Sequence, residues 1–172
     1  MKKIILLLFI FSLSNLFGLE PKNIKSIEAD FEQQIIKQNK TLTYKGKIYI
    51  KLPAHALWIY EKPKKKIYIT GKKVIIEESK LEQVIITSIE EGIDLSKILS
   101  SANMTTQNNF EAKVKSKIFK ILTTTNSIDS ITYKDEFDND VVIKFFNTKI
   151  NQDIALSTFD YEVPSGFDII RQ

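Results

Sequence analysis

Residues 41–52 read Thr-Leu-Thr-Tyr-Lys-Gly-Lys-Ile-Tyr-Ile-Lys-Leu, and this stretch decides the fold class. Every second residue from Leu42 to Leu52 is apolar or glycine, and the residues between them are threonine, lysine and one tyrosine. Successive side chains of a β-strand point to opposite faces of a sheet, so the alternation predicts a long strand with one buried face. Pro53 has no backbone N–H to donate to a neighbouring strand, and we expect the strand to end there.

The same alternation recurs along most of the chain, with connections of only a few residues that are typical of antiparallel hairpins. It is interrupted by an apolar helical spacing over residues 93–99, for which Asp94 or Ser96 is a candidate cap. Residues 100–109 carry little pattern, residues 151–157 suggest a short helix, and the last two predicted strands are 158–163 and 167–170.

Many short strands in meander order favour a barrel or a strongly curved sheet. An open barrel needs a cover over its mouth, and the helical pieces are suited to that role. We therefore predict a mainly β (α+β) fold. It is an incomplete antiparallel half-barrel of about 10–11 strands with a short helical lid over its concave face.

The N-terminus has the layout of a secretory signal peptide. Lys2 and Lys3 precede an apolar run of eight residues, 4–11, and small or polar residues follow as far as Gly18. A membrane-spanning helix needs about 20 apolar residues, so a cleaved leader is the better interpretation. We predict a signal peptide at residues 1–18, a single domain at 19–172, and export to the periplasm.

The composition limits the chemistry. The chain has no cysteine, which excludes disulfides, thiolate metal sites and lipidation through a thiol. His55 is the one histidine, and it stands beside a proline turn without a nucleophile elbow or a second histidine at metal-ligand spacing. We interpret His55 as a solvated loop residue and expect no enzymatic activity, no catalytic residues, no metal site and no cofactor.

The charges are nearly balanced, with 25 basic and 21 acidic residues, and two of the lysines lie in the predicted leader. A nucleic-acid partner requires a concentrated basic face, so we expect none. The run of Lys62, Lys64, Lys65 and Lys66 around Pro63 is most typical of a solvated turn. The alternative is a contact with anionic lipid headgroups or with an acidic partner.

Aromatic residues fall on the apolar faces of the first three predicted strands, at Phe31, Tyr44, Trp58 and Tyr60. Two interpretations stay open at this point. The residues form an ordinary core, or they line a cavity inside a curled sheet of about ten strands. An apolar site with few polar anchors would suit an acyl chain.

The order and spacing of several short elements resemble the LolA family of periplasmic lipoprotein carriers. The resemblance covers nearly the whole predicted domain, although residues 90–146 match only in strand pattern. The matching elements are Phe31-x-Gln33, Gly46-x-Ile48-Tyr49-Ile50, Pro53 with Trp58-x-Tyr60, Glu61-Lys62-Pro63, Gly71-Lys72, Leu81-Glu82-Gln83-Val84 and Phe159-x-Tyr161-x-Val163-Pro164-x-Gly166-x-Asp168-Ile169-Ile170.

The resemblance implies a chaperone that binds acylated lipoproteins in a hydrophobic cavity and carries them to the outer membrane. Its expected partners are an ATP-driven inner-membrane transporter that releases the cargo and an outer-membrane acceptor, whose existence stays open. No bond is made or broken, no cofactor is needed, and we expect a monomer. By strand pattern and family position, the predicted cavity residues are Phe31, Ile48, Ile50, Leu52, Trp58 and Tyr60.

Two positions depart from the family pattern. Leu52 stands where members commonly carry an arginine that ties the lid down, so we expect an apolar contact between Leu52 and the lid instead. Ala56 stands where a bulky aromatic residue is common. The alternative function on the same half-barrel is a sensor that binds lipid or an envelope protein without shuttling it, and an enzyme on this scaffold is disfavoured.

Overall fold

The computed structural model describes residues 18–38, 40–88 and 94–172. The predicted leader before Gly18, Asn39 between the first two strands of the sequence pattern, and the predicted start of the helix at Ile93 lie outside the described residues. The elements are β1 (Ser26–Lys37), β2 (Lys40–Lys51), β3 (His55–Tyr60), β4 (Lys65–Thr70), β5 (Lys73–Glu78), β6 (Gln83–Ser88), α1 (Leu95–Ser100), β7 (Asn103–Thr106), β8 (Asn109–Val114), β9 (Lys117–Thr123), β10 (Ile128–Lys134), β11 (Asp140–Ile150) and β12 (Asp168–Arg171).

The strands form one twelve-stranded sheet in the order β12-β6-β5-β4-β3-β2-β1-β11-β10-β9-β8-β7. β12 and β7 stand at its two edges, so the sheet is an open half-barrel, as predicted. Two 3₁₀ turns, Pro21–Asn23 and Leu156–Phe159, complete the regular structure of the described residues. No helix among those residues is long and apolar enough to cross a bilayer.

Three details differ from the predictions. The sheet has twelve strands because β7 forms in the stretch that carried little pattern. The pairing is not wholly antiparallel, since β12 lies parallel to β6. The predicted strand at 158–163 is wrong, because the chain there crosses the convex face of the sheet and has no strand beside it. Its alternating aromatic residues instead pack onto that face, where Phe159 is buried and Tyr161 lies 4.8 Å from Tyr68.

The main core lies on the concave face. There, side chains from β1 to β3 and from β8 to β11 meet those of α1 in one apolar cluster. The helix has only six residues, too few to be stable in isolation. Its N-terminus is capped by Asp94, whose carboxylate accepts a hydrogen bond from the Lys97 backbone N–H at 3.1 Å. Its remaining stability comes from burial of Leu95, Ile98 and Leu99.

The convex face carries a smaller cluster of Leu57, Ile154 and Phe159 beneath the C-terminal segment, residues 151–167. Polar contacts attach the start of this segment to the sheet. Lys51 Nζ lies 2.6 Å from the Ile154 carbonyl oxygen and 2.9 Å from the Asp153 carboxylate. The chain then reaches β6, where β12 pairs with it.

Gly46 permits a close approach of β1, β2 and β3. It pairs with Phe31 on one side and with Tyr60 on the other. A Cβ at this position would overlap the Ile59 carbonyl oxygen, and it would lie 2.9 Å from the carbonyl carbon and 3.0 Å from Phe31 Cε1. Because two of these atoms are backbone, no change of rotamer can relieve the overlap.

Gly46→Ala is therefore expected to lower the free energy of unfolding by about 3 kcal/mol, the upper end of the usual cost of overpacking. Gly71→Ala is the matched control, because nothing lies within 4 Å of a Cβ there and only its φ of +59° opposes the change. That variant should lose about 1 kcal/mol. Urea unfolding followed by circular dichroism measures both, and equal losses would contradict the close approach at Gly46.

Candidate functional site

The six residues predicted to line a cavity come together on the concave face of β1, β2 and β3. Ile48 pairs with Trp58, and Tyr60 pairs with Gly46. The space left by the missing side chain of Gly46 admits the ring of Phe31. This ring meets Trp58 edge-on at 5.0 Å and Tyr60 edge-on at 5.1 Å, an arrangement favoured between aromatic side chains. The neighbouring strands thus present one continuous apolar surface.

In this structure most of that surface is covered. Ile48, Ile50 and Phe31 are at most 2% exposed and Trp58 is 7% exposed, while Leu52 and Tyr60 are partly buried at the margin of the same cluster. The buried side chains of α1 belong to this cluster too. A ligand can therefore reach the deepest of these residues only after the covering side chains move.

The remaining space beneath the start of α1 is small. A void of about 40 Å³ lies between Leu95 on α1 and Leu52, Pro53 and Ala56 on the sheet side. Typical ligand pockets measure roughly 300–1,000 Å³. An acyl chain could occupy this part of the concave face only if α1 were displaced.

The concave face is less covered toward the opposite end, where the β1–β2 and β3–β4 hairpins turn. Along β2 the burial falls from Ile50, at 1% exposure, to Leu42, at 56%. Leu42 pairs with Ile35, which is half-buried, and Tyr44 beside them is half-buried as well. The apolar surface is thus continuous from the covered core to solvent at this hairpin end.

The model of the family described as outer membrane lipoprotein carrier protein LolA matches residues 22–117. The outer-membrane lipoprotein carrier protein of Campylobacter jejuni is 36% identical over 172 residues, which cover 99% of this chain and all of the relative. The chain belongs to the LolA family. The corresponding protein of Wolinella succinogenes is 34% identical over 88% of this chain and 90% of its own length.

A likeness in fold extends further. The crystal structure of an uncharacterised conserved protein from Thermus thermophilus superposes with a TM-score of 0.55 at 12% sequence identity, covering 89% of this chain and 94% of that one. At this identity the likeness concerns the fold alone. It includes the half-barrel beyond residue 117, where the LolA model stops matching.

Leu52 stands at the position where the LolA resemblance implies an arginine that ties the lid down. Its backbone N–H donates to the Lys25 carbonyl at 2.8 Å, and its half-buried side chain lines the same small void as Leu95. An apolar contact between Leu52 and the lid stays a prediction, and the shared void is consistent with it.

The interpretation of His55 as a solvated loop residue is wrong. It is the first residue of β3, it is half-buried, and its ring lies 5.3 Å from that of Phe159. Because it alternates with Ala56 and Trp58, it belongs to the convex face, where it packs under the C-terminal segment.

Sequence reasoning missed the far wall of the concave face. Phe119 and Tyr133 are buried in the same cluster, with ring centroids 5.1 Å apart. The alternation in β9 and β10 gave a signal for buried residues. It did not reveal that these strands curl round to meet the first three.

Two tyrosines of this apolar face, Tyr60 and Tyr133, carry hydroxyl groups. The Tyr60 hydroxyl donates to Gln33 Oε1 at 3.0 Å, and burial raises the pKa of Tyr60 to about 12. Burial also raises the pKa of Tyr133. Both hydroxyls therefore stay neutral at physiological pH, and the face carries no charge from them.

The raised pKa of Tyr60 makes the fold sensitive to alkali. Between pH 10 and 12 the unfolded chain loses this proton while the folded chain keeps it, so the free energy of unfolding falls as pH rises. Tyr60 alone should contribute about 1.4 kcal/mol per pH unit in this window. Tyr60→Phe should remove that part of the slope, and it should cost about 1 kcal/mol at pH 7 through loss of the bond to Gln33. Urea unfolding of both proteins at several pH values tests this, and identical slopes would contradict the burial of the hydroxyl.

Proposed function

We propose that this protein is a periplasmic chaperone that binds the acyl chains of lipoproteins released from the inner membrane and carries them to the outer membrane. The observation that carries the proposal is the continuous apolar face of β1 to β3 beneath a six-residue helix, in a chain of the LolA family. Such a face binds a hydrophobic ligand by burying it and makes no covalent bond to it. The activity we propose is therefore transport without a chemical reaction.

The magnitudes are compatible with reversible binding. Displacing α1 returns Leu95, Ile98 and Leu99 to solvent, at about 1.5–3 kcal/mol each. Burying an acyl chain of about sixteen carbons contributes roughly 12 kcal/mol, at about 0.8 kcal/mol per CH₂. One acyl chain already outweighs the lid by a few kcal/mol, so even a single chain of the cargo can displace α1, and the chains can be given up to a better acyl environment.

We further propose the partners that this role requires. An ATP-driven inner-membrane transporter would supply the acylated lipoproteins, because drawing acyl chains out of a bilayer is uphill. An acceptor at the outer membrane would take them over. In this proposal residues 1–18 are a cleaved signal peptide, and residues 19–172 are one monomeric carrier domain whose acyl contacts are Phe31, Ile48, Ile50, Leu52, Trp58 and Tyr60.

Mass spectrometry of what co-purifies with the protein from the cell envelope tests the proposed cargo. A triacylated protein is the expected result. Free fatty acid or phospholipid would instead favour a lipid-binding module without shuttling. Recovery of nothing apolar from a fully folded preparation would contradict acyl binding of either kind.

A paired substitution separates the lid from the rest of the core. Leu95→Ala and Leu57→Ala remove the same atoms from side chains that are 6% and 5% exposed, one on the lid and one on the convex face. Both should lose about 2–4 kcal/mol of stability. Only Leu95→Ala should bind a triacylated lipopeptide more tightly, by at least about tenfold, because it weakens the closed state that competes with the ligand. Titration calorimetry measures the affinities, and equal changes in the two variants would contradict a displaceable lid.

A further inference from the structure

Two neighbouring hairpins at the hairpin end of the sheet, β1–β2 and β3–β4, concentrate positive charge, and the β5–β6 hairpin beside them adds Lys80. We call the turns of these three hairpins and the residues that flank them the basic rim, which among the described residues comprises 37, 38, 40, 60–65 and 78–83. The rim carries six lysines against three glutamates, and the hairpins are adjacent because β6 to β1 follow one another across the sheet. The lysines are Lys37, Lys40, Lys62, Lys64, Lys65 and Lys80.

Within the described part of the chain these lysines are not neutralised by ion pairs. Among the described residues, no carboxylate oxygen lies within 4 Å of any of the six. Lysines on the convex face of the same strands do have partners, as in Lys45 with Glu32 at 3.0 Å and Lys47 with Asp30 at 3.1 Å. The uncompensated charge therefore collects at the turns.

Apolar groups stand among these charges. Leu81 at the β5–β6 turn is 65% exposed, and Leu42 beside the β1–β2 turn is 56% exposed. A cleft of about 350 Å³ between the β3–β4 and β5–β6 turns is lined by Ile59, Tyr60, Glu61, Lys64, Lys65, Lys66 and Ser79. Exposed leucines interspersed with unpaired lysines are the composition of surfaces that lie on anionic membranes.

The basic rim lies at the open end of the concave face. Leu42 stands beside the rim and belongs to the apolar concave face, which opens to solvent at the same end. A bilayer in contact with the rim would therefore lie against that opening. An acidic protein would account for the lysines, but it would not account for leucines exposed among them at the edge of an acyl-binding face.

We propose that the basic rim docks the protein on the surface of a bilayer rich in anionic phospholipid, with Leu42 and Leu81 entering the interfacial region and the opening of the concave face turned toward the lipid. This proposal deepens the proposed function. It rests on that function only for the reason why the protein would dock on a membrane. The attraction itself depends on the rim alone. It should weaken with salt, because the Debye length shortens from about 10 Å at 0.1 M to about 3 Å at 1 M.

Vesicle co-sedimentation tests the proposal. The protein is expressed in a Gram-negative host and purified from the fraction released from the cell envelope. It is mixed with phosphatidylcholine vesicles with or without about one-third phosphatidylglycerol. The wild type should bind only the anionic vesicles. A variant with Lys62, Lys64 and Lys80 all replaced by Gln should bind about a hundredfold more weakly, since a lysine near an anionic surface is worth about fivefold.

The matched control replaces Lys25, Lys72 and Lys73 by Gln, which removes the same charge from exposed positions at the opposite end of the sheet. It should bind the anionic vesicles as the wild type does. Leu81→Ser should weaken binding without any change of charge. An equal loss in the control, no loss in the rim variant, or no preference of the wild type for anionic vesicles would each overturn the proposal.

Capture of a triacylated lipopeptide in solution keeps the two proposals apart. The rim variant should capture it as well as the wild type, because none of its three changes touches the buried concave face. If the wild type bound anionic vesicles through these lysines but captured no lipopeptide, the proposed function would fail while docking by the rim would stand.

Discussion

Apolar contact between α1 and the concave face of the sheet completes the hydrophobic core, and it also closes the proposed binding face. A helix of six residues has almost no stability of its own, so burial of its three apolar side chains holds it in place. The same physical effect drives an acyl chain onto the face. The helix α1 and the acyl chain therefore compete for the same surface through the same hydrophobic interaction. This competition is sufficient for reversible binding without a chemical reaction.

The convex face of the sheet is covered in a different way. The C-terminal segment combines a small apolar cluster with hydrogen bonds and an ion pair, including Lys51 to Ile154 and Asp153. An acyl chain cannot replace those polar partners. The sheet thus has one cover attached by specific polar contacts and one attached by burial, and only the second is suited to exchange with a greasy ligand. The sheet itself separates these two covers, and Gly46 allows its strands β1, β2 and β3 to lie close together around Phe31.

Much of the fold could be predicted because the deciding signal is local. The alternation in β2 lies within a single strand, and the Asp94 cap lies within a single helical turn. Both are found in the structure. β7 was missed because its residues, such as Asn103 and Met104, are exposed and carry no apolar alternation. The segment after Ser157 was predicted as a strand because Phe159 and Tyr161 alternate, but their burial comes from crossing a sheet face, which no local pattern reveals.

The candidate site was predictable in part for the same reason. Alternation within β2 and β3 placed Ile48, Ile50 and Trp58 on one face, and cross-strand register then brought Phe31 over Gly46. The pattern could not show that α1 covers these residues, nor that Phe119 and Tyr133 close the far side, because both depend on how the sheet curls. The lysine run at residues 62–66 illustrates the same limit. The sequence pattern alone does not show that a second basic hairpin, Lys80 and two exposed leucines lie beside this run.

Trp58 allows the central claim to be tested directly, because it is the one tryptophan of the chain and it lies in the proposed binding face. A triacylated lipopeptide with bromine in its acyl chains is titrated into the protein, and Trp58 fluorescence is followed. We expect quenching that saturates with binding, and no quenching by the same peptide without acyl chains. Binding of the brominated lipopeptide that leaves Trp58 fluorescence unchanged would show that the acyl chains lie elsewhere, and it would contradict the account.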